Sequence, residues 1–150
     1  MNLEQLGLFG VFIAGVIPWF EAIGVVPAGI VFGLDPVLTV IAAASGNLIT
    51  IALFAFAGER IRNWVIARRA AKGKSAESKR YEKAQLSFQK YGVYGMAVLG
   101  PILIGTQFAA AVSVAAGVKP LKVTLLVGGS MLIWAIAIAY VFVALGLNLI

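Results

Sequence analysis

Glu21 lies inside a long apolar stretch, residues 6–34, between Pro18, Trp19 and Phe20 on one side and Ile23, Gly24 and Pro27 on the other. A carboxylate in hydrocarbon costs at least ~2.5–3.5 kcal/mol on insertion scales, so such a group is protonated, paired or wetted. Desolvation favours the neutral form, which makes proton binding the chemistry this position suggests. One reading is a proton or cation site on a transport path. The other is a structural carboxyl accepting bonds from the free N–H groups of a broken helix. Thr106 and Gln107 supply the polar side chains of a second interrupted stretch, residues 91–118. Gln107 reads either as a partner facing Glu21 across the membrane midplane or as an ordinary helix–helix bond, worth ~0.6 kcal/mol. Ser45 and Asn47 are assigned to helix packing.

These residues need elements to position them, and composition says what kind. The chain has 150 residues, 61% hydrophobic and only 12% charged, against ~25% charged in an ordinary soluble domain. So few charges cannot cover a soluble surface, so the class is integral membrane. There is no Cys and no His, which removes disulfides, thiolate metal sites and the usual neutral-pH proton shuttle. No Walker motif, no nucleophile–base set and no metal-ligand spacing occurs. Neither an enzyme nor a cofactor or metal site is expected.

Four apolar segments follow: 6–34, 36–58, 91–118 and 123–150. A spanning helix needs ~20 apolar residues, and 36–58 and 123–150 meet this without interruption. The other two are broken, 6–34 by Pro18, Glu21, Gly24 and Pro27, and 91–118 by Gly100, Pro101, Gly105, Thr106 and Gln107. Irregular backbone at membrane depth survives only where protein buries it or it lines a wet cavity. Each broken segment therefore divides into two short arms, suited to a re-entrant hairpin. Pro18, Gly24, Pro27, Gly100, Pro101 and Gly105 are expected to shape these hairpins rather than to touch substrate. Helix N-termini at the breaks would turn positive dipole ends inward.

The halves also match in order. Gly33-Leu34-Asp35-Pro36 precedes Gly117-Val118-Lys119-Pro120 by 84 positions, and Ser45-Gly46 falls on Gly129-Ser130. The expectation is one membrane domain in three parts: repeat 1 (1–58), a basic loop (59–90) and repeat 2 (91–150). The net charge of +6 is concentrated in the loop, which holds ten of the twelve basic residues and three acids. Basic residues between apolar segments mark a cytoplasmic loop and need no nucleic-acid partner. The loop is expected to form two short interfacial helices around Lys72-Gly73-Lys74-Ser75. One carries Ile61, Trp64 and Val65 among arginines; the other shows a face of Tyr81, Ala84, Phe88 and Tyr91, with basic side chains snorkelling to lipid headgroups. If 91–118 is re-entrant, Lys119 and Lys122 stay on the loop's side, while Asp35 lies outside. The two repeats are then inverted. The N-terminus has no basic n-region and is expected to be retained.

Two stretches also resemble a known family. Pro18 to Pro36, with Glu21, Gly24 and Pro27, looks like the first signature of the small multi-drug export protein family. Lys90 to Phe108 looks like its second, with Lys90-Tyr91-Gly92, Pro101 and Gly105-Thr106. The family often has an Arg two residues after the Glu, where this chain has Ile23. More distantly the plan is similar to the DedA, or VTT-domain, superfamily, whose hairpins face each other and some of whose members translocate lipids. That pattern has arginines around its second hairpin, where this chain has none between Gly100 and Thr106.

The expected fold is an all-α membrane protein, an inverted repeat of re-entrant helical hairpin plus transmembrane helix. The expected function is secondary transport of a small molecule or ion, coupled to protons through Glu21. The alternatives are a lipid translocase (phospholipid or polyprenyl-phosphate) and a non-transporting scaffold. Membrane lipids and a second copy are the expected partners, and the cell membrane, inner or plasma, the expected location.

Overall fold

A computed structural model describes residues 2–73 and 79–147, except the side chains of Glu59, Ile61, Arg62, Val65, Arg80 and Tyr81. The expectations placed on Lys74, Ser75 and those side chains lie outside the described residues. Among the described residues the ordered elements are all helices: α1 (Leu3–Val16), α2 (Ala22–Val31), α3 (Pro36–Ala70), α4 (Lys79–Leu103), α5 (Thr106–Ala115) and α6 (Pro120–Ala144).

Two helices are long and apolar enough to cross a membrane, Pro36–Gly58 within α3 and Pro120–Ala144. Only 39% and 28% of their apolar windows are buried in the protein. A soluble core helix would be mostly covered, and residues such as Phe56, Leu125 and Ile133 are instead 65–70% exposed. Surface of that kind requires an apolar solvent.

The chain divides into two compact units. The first comprises Met1–Thr50 and Gly129–Ile150, the second Ile51–Gly128. In the first, α1 and α2 run antiparallel, because Gly7 lies against Leu34 and Val11 against Gly29. Asn2 starts α1 with a capping box, its side chain and that of Gln5 each accepting from the other's backbone N–H. The pair packs on the N-terminal half of α3, with Gly15 against Ala43 and Gly46 against Phe12 and Val16.

In the second unit α4 bends at Gly92 (φ 64°, ψ −170°), a conformation glycine permits. This lets Ala84 and Phe88, before the bend, pack with Met96, Ile104, Ala109 and Val112 after it. Gly100 sits against Ala109, so the end of α4 and the start of α5 are also antiparallel neighbours. Gly58 of α3 touches Ala111 of α5 at ordinary contact distance.

The two helix–break–helix segments share a numbering. The helices α2 and α5 have ten residues each and start 84 positions apart, as do α3 and α6. Their ends use the same bonds. Gly33 (φ 78°) donates to the Ile30 carbonyl and Leu34 to that of Gly29; Gly117 (φ 94°) donates to Val114 and Val118 to Ser113. This is a Schellman cap, which glycine closes by adopting a left-handed conformation. Proline then opens each long helix at its first position, where no donor is lost.

Two expectations need adjusting. The first helix of the basic loop is no separate element, since α3 continues unbroken to Ala70. The arginine-rich stretch contains no Pro or Gly after Gly58 to stop it. Pro27 and Gly24 lie inside α2, and Gly100 and Pro101 inside α4, leaving the breaks at 17–21 and 104–105. One internal proline deletes a single hydrogen bond and need not end a helix held by its neighbours.

Candidate functional site

Glu21 occupies the N-cap of α2, with extended backbone (φ −48°, ψ 157°). Its carbonyl accepts from Gly24 N at 2.8 Å and Val25 N at 3.0 Å, while its side chain makes no capping bond to the helix. The residue is half-buried. The preceding turn is tight: Ile17 donates to Ala14 and Phe20 to Ile17. Trp19, between them, has φ 143°, the one positive value outside glycine among the described residues. A bulky side chain in that region carries strain of about 1–3 kcal/mol.

The corresponding break in the second unit is shorter. Gly100 O accepts from both Ile104 N and Gly105 N, which closes α4. Gly105 (φ 99°) then forms the N-cap of α5. Thr106 and Gln107, the first two residues of α5, are fully buried together. The structure thus joins Thr106 and Gln107 with Gly100, Pro101 and Gly105 at one break, and Glu21 with Pro18 at the other, each within its own unit. By the 84-residue numbering Glu21 corresponds to Gly105 rather than to Gln107.

Thr39, Thr50 and Ser113 are buried polar residues that sequence reading passed over. Their hydroxyls bond back to carbonyls of their own turn, Thr39 to Asp35, Thr50 to Asn47 and Ser113 to Ala109, at 2.7–2.9 Å. Such back-bonding lets an apolar helix face contain a hydroxyl, and its signal is Ser or Thr amid small residues. Asn47 is buried with Thr50 on α3, consistent with packing.

An open groove of about 430 Å³ runs between α1 and α2. Its walls are Leu3, Gly7, Gly10, Val11 and Ala14 from α1, Val25, Ala28, Gly29 and Phe32 from α2 and its cap, and Leu34 beyond. No polar side chain lines it, and Glu21 is not part of it. Glycines make the groove, since side chains at positions 7 and 10 would fill it. Among the described residues no group of three carboxylates is placed to hold a metal ion.

Comparison with known proteins yields one positive finding. Residues 21–137 match the family described as "Putative small multi-drug export protein". No curated protein and no solved structure matches the chain. The match begins at Glu21, the last residue of the first break, takes in the second break, all of α3 and most of α6, and covers well over half of the sequence. The chain therefore belongs to the small multi-drug export protein family.

Proposed function

We propose that this protein is a secondary transporter of inverted-repeat type, in which two re-entrant hairpins carry a small molecule or ion across the cell membrane. One observation carries the reading. The first broken apolar segment ends beside its own beginning, and the helix that follows the second starts beside that segment's beginning. Leu34 lies against Gly7 in the first unit, and Lys122 Nζ stands 5.2 Å from the Tyr94 ring in the second. A segment that returns to its starting level does not cross a bilayer. The shared 84-residue numbering of α2–α3 and α5–α6 supports a repeat, and repeats of opposed hairpins are a common transporter plan. The basic segment 59–90 then stands in the cytoplasm with Lys119 and Lys122. A two-fold dimer would cover the exposed faces of α3 and α6.

Glu21 is the proposed proton site. It sits at an irregular backbone break, and its carboxylate does not cap α2. Transport is tested in reconstituted vesicles under an imposed pH gradient, with a panel of cationic, neutral and anionic dyes. Glu21→Gln keeps the cap's backbone bonds and the side-chain shape, so the variant should fold and lose the pH dependence of transport. Unchanged pH dependence in a folded variant would remove Glu21 from the mechanism. The open apolar groove favours a second reading, lipid translocation, as its walls suit an acyl chain. Scrambling of labelled phospholipid in the same vesicles, with no dye movement, would select it.

A further inference from the structure

The bend of α4 at Gly92 gathers charge and aromatic rings within the second unit. Lys90 Nζ stands 5.1 Å from the centre of the Tyr91 ring, before the bend. Lys122 Nζ, in the first turn of α6, stands 5.2 Å from the Tyr94 ring, after it. Lys119 precedes Lys122 by three residues, one helical turn. All five residues are exposed. A ring face attracts an ammonium from one side and leaves its other N–H donors open. Among the described residues no ion pair or hydrogen bond engages the ammonium of Lys90, Lys119 or Lys122. Residues 83–128 contain four lysines and no acid. Glu82 lies eight residues before Lys90, about 12 Å along the helix, which is beyond the ~8 Å screening length. The helix ends do not reverse this sign. The first turn of α6 has no acid, so its positive end stands beside the lysines. At the end of α5 the carbonyls of Val112, Ser113 and Val114 are already bonded to Ala116, Val118 and Gly117.

The surface that continues from these cations is apolar. On α4, Val98 and Ile102 follow Tyr94 at four-residue spacing and so share its helix face; they are 52% and 53% exposed. On α6, Leu121 and Leu125 are 61% and 67% exposed. A ligand that covers both kinds of surface has an anion at one end and hydrocarbon behind it. A soluble phosphate meets only the first, and a zwitterionic headgroup brings a cation of its own against the lysines. We infer that Lys122 and Tyr94 bind the phosphodiester of an anionic phospholipid, whose acyl chains lie on the exposed faces of α4 and α6. Lys119 and Lys90 add attraction from either side. Tyrosine and lysine suit this level of a bilayer, where ring and stem lie in hydrocarbon and the polar tips reach the headgroups. The lipid is a fixed partner of the second unit rather than cargo. The site requires only that this unit lies in a bilayer, and is independent of what the protein transports.

Phosphatidylglycerol and phosphatidylcholine with the same acyl chains are the probes. Each is titrated into purified full-length protein in neutral detergent, and native mass spectrometry reads the first lipid bound. Phosphatidylglycerol should bind at least about fivefold more tightly, the attraction expected of one lysine toward an anionic headgroup. Lys122→Gln should weaken phosphatidylglycerol binding about fivefold and leave phosphatidylcholine unchanged. Lys122→Arg keeps the charge and should keep the binding. Tyr94→Leu changes no charge and keeps the apolar face, yet should weaken binding about two- to fivefold, because it removes the ring that holds Lys122. Lys72→Gln, at an exposed lysine beyond the end of α3, should cost less than about twofold. Equal binding of the two lipids overturns the charge selection. A loss in Lys72→Gln as large as in Lys122→Gln makes the attraction diffuse and overturns the site. Glycerol 3-phosphate that competes as well as the whole lipid makes this a soluble-phosphate site and overturns the phospholipid.

Discussion

Replacing Gly46 with alanine tests the closest approach of backbones in the first unit. The new methyl would stand 2.2 Å from the Phe12 carbonyl oxygen and 3.0 Å from Val16 N. Ordinary contact begins near 3.4 Å, so α1 and α3 must part by about 1 Å. The obstructing atoms are backbone, so no rotamer can yield. Overpacking of this kind costs about 1–3 kcal/mol, and a rigid obstacle puts it at the upper end. Alanine recovers about 1 kcal/mol of helix propensity, leaving a net loss of about 2 kcal/mol. Gly129 in α6 is the control, since its added Cβ meets nothing within 4 Å. Gly129→Ala should gain about 0.5–1 kcal/mol from propensity alone. Gly15→Ala, with its methyl 2.5 Å from the Ala43 carbonyl, should resemble Gly46→Ala. The double variant Gly15→Ala/Gly46→Ala should cost less than the sum, because one parting of α1 from α3 relieves both contacts. Unfolding in mixed micelles of rising SDS fraction, followed by circular dichroism, measures these differences. Gly46→Ala shifting the same way as Gly129→Ala, or strict additivity of the pair, would refute the close approach.

At the first break, Trp19→Gly should be more stable than Trp19→Ala by about 1 kcal/mol, because both remove the ring and only glycine suits φ 143°; the same unfolding series measures it. Gly117→Ala should cost about 1–2 kcal/mol although its Cβ meets open space, since its left-handed conformation alone disfavours a side chain. Cysteines at Lys72 and Leu121, both exposed, should react with an impermeant maleimide from one face only, the same face; labelling from opposite faces would end the re-entrant reading of residues 91–118.

Composition and apolar run length made the all-helical class and the two long helices legible, because both are averages over many residues. The four-residue Gly33–Pro36 and Gly117–Pro120 matches were legible because a left-handed cap followed by a helix start requires those residue types. The exact breaks were not. Pro27 and Pro101 look like interruptions in a string of letters, yet each sits within a helix. Trp19 is the reverse case, a residue with no turn signature that holds an unusual backbone angle. Its conformation follows from the turn it must close, which depends on how α1 and α2 pack. The groove was invisible for the same reason. Glycines at 7 and 10 become an opening only once α2 lies beside them, whereas Glu21 stood out because a lone acid in an apolar run is a local feature.

The unbroken length of α3 has a mechanical consequence. Its 35 residues make a rod of about 52 Å, of which Pro36–Gly58 accounts for about 34 Å. That is a few ångströms more than a hydrocarbon core of ~30 Å, an excess a helix absorbs by leaning. The helix runs on through Gly58 without a break to Arg68 and Arg69, so a lean of the rod carries that end with it. Each ~10° of inclination sweeps the tip of such a rod through about 9 Å. Where Pro36–Gly58 crosses a bilayer, the thickness of that bilayer would set the position of a cationic lever arm, and a thinner membrane would draw the arm closer to its surface.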